Sequence, residues 1–173
     1  DGLDQFWQDR QWGELIKLSS EEREKVLPAI LAWADGGERL SGVAALQGFQ
    51  QTMAMRRATE AVFDKVDAVI SPSTPTIAFP AEWPSPSNDP RQPFEHIAYT
   101  VPWNMGEQPA ISLNAGFSSP ATSPALAANM PIGVQLIGPR FDDHFVLKLA
   151  HQLETRLALP SRWPKLPAEK TTV

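Results

Sequence analysis

The sequence predicts an α/β fold, in which helices flank a partial mixed β-sheet. Two observations predict it: apolar residues recur at three- and four-residue spacing near both ends of the chain, and short apolar runs bounded by proline or glycine lie between them. With 173 residues, of which 42% are hydrophobic, the chain can bury a core. We treat residues 1–173 as a single unit with a helical part at 19–66, a strand-loop-strand-strand-helix part at 67–157 and a tail at 158–173.

The helical part is predicted to begin at a capping box. Ser19 and Glu22 have the required spacing, in which each side chain bonds to the backbone N–H of the other residue. Pro28 interrupts the following apolar pattern, and proline inside a helix removes one hydrogen bond, so we expect a kink or a restart there. The Gly36-Gly37 pair is predicted to end this helix.

A second, longer helix is predicted to begin near residues 39–41 and to run to about Val66. Its evidence is an apolar stripe at helical spacing, formed by Val43, Leu46, Phe49, Met53, Ala58, Val62 and Val66. We expect this stripe to face the core.

The pattern then changes to strands and loops. Residues 67–71 are a short apolar run that ends at Pro72, and they are predicted to form a buried strand. Residues 72–93 contain seven prolines, which predicts a long connection without regular structure.

The second half of the sheet is predicted to be a hairpin. Residues 110–113 form a strand followed by a turn at 114–116, and residues 132–137 form the strand that pairs with it. The Ser-, Pro- and Ala-rich segment 118–129 is predicted to be the surface connection of this hairpin.

A last helix is predicted to end near Leu157, capped at its start by Asp142 or Asp143. Its apolar face is Phe145, Val146, Leu149, Leu153 and Leu157. The Pro-rich tail after Pro160 is expected to fray. Three strands and three helices with long connections resemble part of a sheet rather than a finished one.

Composition excludes several classes of protein. A net charge of −5 argues against a nucleic-acid partner, and no apolar run reaches the roughly 18 residues of a membrane span. There is no cysteine, and three scattered histidines (His96, His144 and His151) leave little for a metal site, so no cofactor is predicted. No secretory segment opens the sequence, and we expect a cytoplasmic protein.

Hydrolytic machinery is not evident in the sequence, and no catalytic residue is predicted. There is no Gly-x-Ser-x-Gly motif, and the Ser19-Ser20 and Ser118-Ser119 pairs lack glycine neighbours, so we interpret them as a cap and a turn. Residues 142–144, Asp-Asp-His, have the residue types of a metal or acid–base cluster, but a helix start explains them better. His151 is interpreted as a surface residue.

Four segments in order carry a family resemblance: Ser-Pro-Ser-Thr-Pro-Thr at 71–76, Tyr-Thr-Val-Pro-Trp-Asn-Met-Gly-Glu-Gln-Pro-Ala-Ile-Ser at 99–112, Ala-Gly-Phe-Ser at 115–118 and Pro-Ile-Gly-Val-Gln-Leu-Ile-Gly-Pro-Arg-Phe-Asp at 131–142. Together they resemble the C-terminal part of the amidase signature family, the serine hydrolases of amides. The resemblance runs from about Asp67 to Leu157 and implies the C-terminal part of an α/β/α sandwich.

The resemblance also explains why no catalytic residue is predicted in this sequence. The family has a Ser–cis-Ser–Lys triad in an upstream Gly/Ser-rich segment and a preceding lysine motif, and neither is in this sequence. It therefore implies a chain that is inactive alone and, in the intact enzyme, helps to bind a small-molecule amide. Thr100, Trp103 and Asn104 are the candidate pocket residues. Trp103 and Asn104 are predicted to lie in an irregular segment between strands, where a ring can form a pocket wall and an amide can orient a carbonyl. The alternative for Thr100 and Asn104 is hydrogen bonding to the loop backbone.

Three positions depart from the family pattern. Glu107 stands where the family usually has glycine, and Asn114 stands where it usually has proline. Ile97 occupies the position at which amidotransferase A subunits tend to carry an aspartate that helps to hold glutamine. This last departure favours a general amidase over glutamine-dependent tRNA amidation.

The leading hypothesis is the C-terminal portion of an amide carbon–nitrogen hydrolase. Two alternatives stay open: a non-catalytic amidase remnant that binds a partner or acts as a scaffold, and an amidotransferase A-type subunit. Strands without their upstream partners leave open sheet edges, so we also expect a homo-oligomer of this chain.

Overall fold

The computed structural model describes residues 2–118 and 130–158. Within these ranges the α-helices are Gly2–Leu15 (α1), Ser20–Arg23 (α2), Pro28–Glu38 (α3), Gly42–Glu60 (α4), Val101–Gly106 (α5) and Asp143–Leu157 (α6). The strands are Val69–Pro72 (β1), Ala110–Phe117 (β2) and Pro131–Ile137 (β3), and single 3-10 turns lie at Ala61–Asp64 and Glu95–Ile97. This combination of helices and a sheet confirms the predicted α/β class.

The three strands form one sheet in the order β1-β3-β2, and both pairings are antiparallel. The prediction that the 67–71 strand is buried is wrong, because β1 lies at an edge of the sheet and Ile70 is 63% exposed. The predicted pairing of the 110–113 and 132–137 strands is confirmed. The hairpin connection at 118–129 lies almost wholly outside the described residues, and so does the tail beyond Ala158.

The turn predicted at 114–116 is instead an irregularity within β2. The register shifts between Asn114 and Gly116, and the Asn114 Oδ1 accepts a hydrogen bond of 3.0 Å from the Gly116 N–H. Such a bulge lets the strand continue, because only one residue leaves the ladder.

The sequence pattern predicts no separate helix before Ser19, but the structure contains α1 there. Apolar residues of α1 do not share one face, and only Leu15 is buried, so periodicity does not reveal this helix. The capping box that follows is confirmed: the Glu22 N–H donates to Ser19 Oγ (3.3 Å), and the Ser19 N–H donates to Glu22 Oε2 (2.9 Å). Hydrogen bonds from the Ser19 backbone and side chain lower the pKa of Glu22.

Helix α3 begins at Pro28, which confirms the predicted restart, because proline suits the first helical turn. The predicted stop at Gly36-Gly37 is confirmed to within one residue, since α3 ends at Glu38 and the Arg39 N–H bonds to the carbonyls of both glycines. Gly37 is buried where α3 meets α1, with the backbone carbonyl of Gln8 close to its Cα. These glycines therefore lie in the last turn of α3 and also permit the close packing of α3 against α1.

Helix α4 begins as predicted, since Ser41 Oγ accepts from the Ala44 N–H at 3.1 Å, but it ends at Glu60 instead of Val66. Its apolar stripe does not face the core: Val43, Leu46 and Phe49 are 66%, 57% and 45% exposed. The buried residues of α4 are Gly48, Thr52 and Thr59. Small residues there allow α1 and α5 to approach. At the edge of the α1 contact the Phe49 ring meets that of Phe6, with centroids 5.7 Å apart, whereas Val43 and Leu46 stay exposed.

The most buried apolar residues lie in two places. Leu136, Ile137, Val146 and Ala150 belong to β3 and α6, and Leu15 and Ala34 belong to α1 and α3; each is at most 3% exposed. The predicted cap of α6 is confirmed, because Asp142 Oδ1 accepts from the Phe145 N–H at 3.3 Å. In the part of the chain that the structure describes, no helix has both the length and the apolar character to cross a membrane.

Candidate functional site

One face of the sheet carries hydroxyl and amide groups. The strand register places Ser71, Gln135 and Ser112 opposite one another, and side chains at opposed positions share a face. Ser73 follows β1, and its Oγ lies 3.0 Å from the Oγ of Ser112. We call Ser71, Ser73, Ser112 and Gln135 the polar face. The neighbouring positions in the register, Ile70, Leu136 and Ile111, present apolar side chains to the other face.

Gln135 is the centre of the polar face. It is 3% exposed, and its Nε2 donates to Ser71 Oγ at 2.8 Å and to the Tyr99 carbonyl at 2.7 Å. One buried amide therefore joins two strands to the segment that leads into α5. A buried amide in this role is well satisfied, and removal of its partners would leave a costly unpaired group.

Helix α5 follows the segment that Gln135 binds. Its first turn contains Pro102, whose fixed φ suits a helix start, and α5 packs against α4. The sequence predicts that Trp103 and Asn104 lie in an irregular segment, and that prediction is wrong, since both lie within α5. The hydrogen bond from Gln135 to Tyr99 holds the start of this helix next to the sheet.

The three predicted pocket residues lie together on this short segment. Thr100 Oγ1 donates a hydrogen bond of 3.1 Å to the Ile97 carbonyl. Thr100 therefore makes the bond to the local backbone that was predicted as the alternative to substrate contact. Trp103 is half-buried, and its ring centroid lies 6.3 Å from that of Phe63. Asn104 is exposed, and its side-chain amide has no hydrogen bond to any described residue. Contact between these residues and a substrate stays a prediction.

A cluster of four charged side chains holds the end of α5. Glu107 bonds to both Arg56 of α4 and Arg140, which follows β3, and Arg140 also pairs with Glu60 at 2.7 Å. We call these four residues the charge cluster. The hydrogen bond to Glu60, with the nearby Glu107, raises the pKa of Arg140 above its usual range. The charge cluster joins α4, α5 and the connection from β3 to α6.

The polar face contains no nucleophile paired with a base, and the Ser19 hydroxyl, which donates to Glu22 Oε2 at 2.8 Å, belongs to the exposed capping box of α2. The Ser73 and Ser112 hydroxyls bond to each other, and within residues 2–118 and 130–158 neither bonds to a histidine, lysine or carboxylate. A serine needs such a base to become an effective nucleophile. The same ranges contain no group of three or more His, Asp or Glu residues that could hold a metal ion. The arrangement can bind and orient a polar group but supplies no covalent chemistry by itself.

Ser71, Ser73, Ser112 and Gln135 lie within the segments that carry the family resemblance, but none was predicted to be a site residue. Their alternation with apolar residues is the signal that they share one face of the sheet, since Ser112 stands between Ile111 and Leu113 and Gln135 between Val134 and Leu136. The charge cluster had no local signal, because its members are far apart in the sequence.

Comparison with known proteins gives a consistent result. A family model described as Amidase matches residues 15–147. Curated relatives include two glutamyl-tRNA(Gln) amidotransferase A subunits, that of Halothermothrix orenii, 38% identical over 107 residues, and that of Desulforamulus reducens, 40% identical over 92 residues. These alignments cover 62% and 53% of this chain and 20% and 17% of the relatives. The chain thus spans about a fifth of the curated relatives that it matches.

Solved structures share the fold. A 6-aminohexanoate cyclic dimer hydrolase matches with a TM-score of 0.63 and 23% identity, over 82% of this chain and 29% of that protein. A bacterial aryl acylamidase of the amidase signature family matches with the same TM-score and 20% identity, over 82% of this chain and 28% of that protein. At these identities the likeness establishes the fold alone.

Proposed function

The chain belongs to the amidase family, and on that premise we propose that it is the C-terminal portion of an amide carbon–nitrogen hydrolase. In this role it supplies sheet strands, packing helices and part of the wall of the substrate pocket. The observation that carries the proposal is the family match over residues 15–147 in a chain that spans about a fifth of its curated relatives. The nucleophile would come from the rest of the enzyme.

The polar face and α5 support a role in binding. Hydroxyl and amide groups recognise a substrate amide through hydrogen bonds, and a site on a rigid sheet holds them in place. The amide side chain of Asn104 is exposed and without a hydrogen bond to the described residues, so it is free to orient a carbonyl. Trp103, which is half-buried beside Phe63, offers a ring as an apolar wall.

The covalent steps would follow the usual course of acyl transfer. A serine supplied by the remainder of the enzyme attacks the amide carbonyl, the amine leaves with a proton, and water then releases the carboxylic acid. The substrate would be a small-molecule amide, and the proposal requires no metal or organic cofactor. This chain alone would be inactive, because positioning groups cannot replace an absent nucleophile.

An amidotransferase A-type subunit is the second candidate, because the curated relatives carry that name. Ile97 argues against it. This side chain is half-buried and apolar, and it cannot form the hydrogen bond or ion pair to glutamine that a carboxylate offers. The general amidase is therefore the preferred proposal.

The proposal is tested by comparing the hydrolytic activity of residues 1–173 with that of a longer chain that extends upstream of Asp1. We expect residues 1–173 to hydrolyse neither a nitroanilide nor glutamine above background. If the reading frame continues upstream of Asp1 with a lysine motif and a Gly-Ser-Ser run, the longer chain should hydrolyse the nitroanilide and lose this activity to a serine-directed inhibitor.

Three results would contradict the proposal or favour an alternative. Inhibitor-sensitive turnover by residues 1–173 would contradict it. Selective hydrolysis of glutamine by the longer chain would favour the amidotransferase. A start codon shortly before Asp1, with no catalytic segment, would favour a non-catalytic remnant.

A further inference from the structure

The Tyr99 carbonyl lies immediately before α5 and takes no part in the hydrogen bonds of that helix. The Asn104 N–H donates to the Thr100 carbonyl at 3.0 Å, which closes the first turn of α5. Among the described residues no backbone N–H donates to the Tyr99 carbonyl, and Pro102 in the first turn has no N–H to donate. A carbonyl in this position needs a partner outside the helix.

The Gln135 side chain is that partner. Its Nε2 carries two N–H groups, and two acceptors lie within hydrogen-bond distance, the Tyr99 carbonyl at 2.7 Å and Ser71 Oγ at 2.8 Å. The Ser71 hydroxyl donates to the Pro72 carbonyl at 3.2 Å, so its oxygen accepts from Gln135. One N–H of the amide therefore binds the sheet, and the other holds the backbone in front of α5.

The sheet keeps the Gln135 amide in a fixed place. Gln135 lies on β3, the central strand, and is 3% exposed. Ser73 reaches over Gly133 to β2, where its Oγ lies 3.0 Å from that of Ser112. A Cβ at Gly133 would lie 2.8 Å from Ser73 Oγ, so glycine leaves the room for this contact. The three strands are thus tied together around Gln135.

Helix α5 is short and is held at both ends. It has six residues, and its C-terminal end is bound through Glu107 to the charge cluster. Trp103 and Asn104 lie in its first turn, directly after the segment that Gln135 binds. Because so short a helix has few hydrogen bonds of its own, a displacement of the Tyr99 carbonyl moves both residues.

We propose that Gln135 is a positioning residue, which orients the Trp103 and Asn104 side chains through its hydrogen bond to the Tyr99 carbonyl. This inference rests on the proposed function, in which these two side chains form part of the wall of an amide pocket. Gln135 acts through the backbone and not by contact with the substrate. The buried amide then contributes to substrate orientation as well as to folding.

Gln135→Glu tests the hydrogen-bond donor, because it keeps the shape of the side chain and removes both N–H groups. An ionised carboxylate would repel the Tyr99 and Pro72 carbonyl oxygens, whereas a protonated one donates its O–H to the Tyr99 carbonyl. Burial raises the pKa of such a carboxyl above its usual value of about 4.3. The groups that Gln135 binds are a hydroxyl and two carbonyls, and none of them titrates near neutral pH.

The measurement is a proton–nitrogen NMR correlation spectrum of residues 1–173, recorded from mildly acidic to mildly alkaline pH. The reporters are the Trp103 indole N–H and the Asn104 side-chain amide, identified by their loss in Trp103→Phe and Asn104→Asp. In Gln135→Glu both signals should be displaced from the parental positions at alkaline pH and should return toward them as the pH falls. In Gln135→Met, which has no donor at any pH, they should stay displaced throughout.

A matched control makes the same change at an exposed position of α6. Gln152→Glu should leave both signals at the parental positions at every pH. Parental signals in Gln135→Met would overturn the proposal, because the amide would then not be what places α5. A displacement in Gln135→Glu that does not reverse as the pH falls would also overturn it, because the loss of the donor would not be its cause.

Activity separates this proposal from the proposed function. In the longer chain, Gln135→Glu should lower kcat/KM for the nitroanilide at alkaline pH by up to about a hundredfold, the cost of a displacement of about 1 Å. The deficit relative to the parent should shrink as the pH falls. Equal kcat/KM for the variant and an active parent would overturn the role of Gln135. An inactive parent would instead contradict the proposed function, and the NMR spectra would still decide whether Gln135 places α5.

Discussion

At the scale of single residues, Glu107 explains a departure from the family pattern. It ends α5 in the left-handed conformation, with φ of 60° and ψ of 29°. Glycine adopts this conformation without the roughly 1–2 kcal/mol that a Cβ costs, which accounts for glycine as the family's usual residue there. Here the Glu107 carboxylate bonds to Arg56 and Arg140, so the side chain offsets the strain of its backbone.

A pair of substitutions separates these two contributions. Glu107→Ala removes the ion pairs and keeps the strain, whereas Glu107→Gly removes both. We therefore expect the glycine variant to be more stable than the alanine variant by about 1 kcal/mol in urea unfolding. Equal free energies of unfolding for the two variants would contradict the assignment of strain at this position.

At the scale of elements, the helical layer depends on close contacts made by glycine. A Cβ at Gly37 would meet the carbonyl of Gln8 and, at 2.8 Å, the Cβ of Trp12. A Cβ at Gly13 would meet nothing within 4 Å. Both glycines lie within helices. Because only Gly37 lacks space for a Cβ, substitution by alanine should have opposite effects on the free energy of unfolding at the two positions.

Gly37→Ala should destabilise the protein by about 1–3 kcal/mol, because α1 and α3 would have to move apart. Gly13→Ala should stabilise it by about 0.5–1 kcal/mol, because alanine loses less backbone entropy in a helix. Thermal unfolding of the two variants beside the parent is the measurement. If Gly37→Ala were the more stable variant, α1 and α3 would not pack closely at this position.

At the scale of the whole molecule, apolar and hydrogen-bonding surfaces lack partners among the described residues. The exposed part of the α4 apolar stripe contains Val43 and Leu46, which are 66% and 57% exposed. Strands β1 and β2 each pair on one side only, with β3 between them. Exposed strand edges and apolar patches both promote association.

We propose that this chain forms a homo-oligomer through these surfaces. Sedimentation velocity should show concentration-dependent species larger than a monomer, and Leu46→Lys should shift the distribution toward monomer by placing a charge in the apolar stripe. Gln92→Lys adds the same charge at an exposed loop position and should leave the distribution unchanged. A monomer at every concentration would contradict the proposal.

Features that depend on a few neighbouring residues were predictable from the sequence. The capping box at Ser19, the helix start at Pro28 and the cap at Asp142 are all confirmed, because each involves groups within about one turn of the chain. The pairing of the 110–113 and 132–137 runs and the α/β class follow from periodicity, which is also local.

Local patterns along the chain thus specified most of the elements, their order and the family. The packing of distant segments decided which surfaces are buried and which polar groups meet. The Gln135 amide reaches the Tyr99 carbonyl across 36 positions, and Arg140 reaches Glu60 across 80. Val43 and Leu46 of the α4 apolar stripe are likewise exposed, while the buried residues of α4 are Gly48, Thr52 and Thr59. Periodicity shows that a helix has an apolar face, but burial depends on which distant residues pack against it.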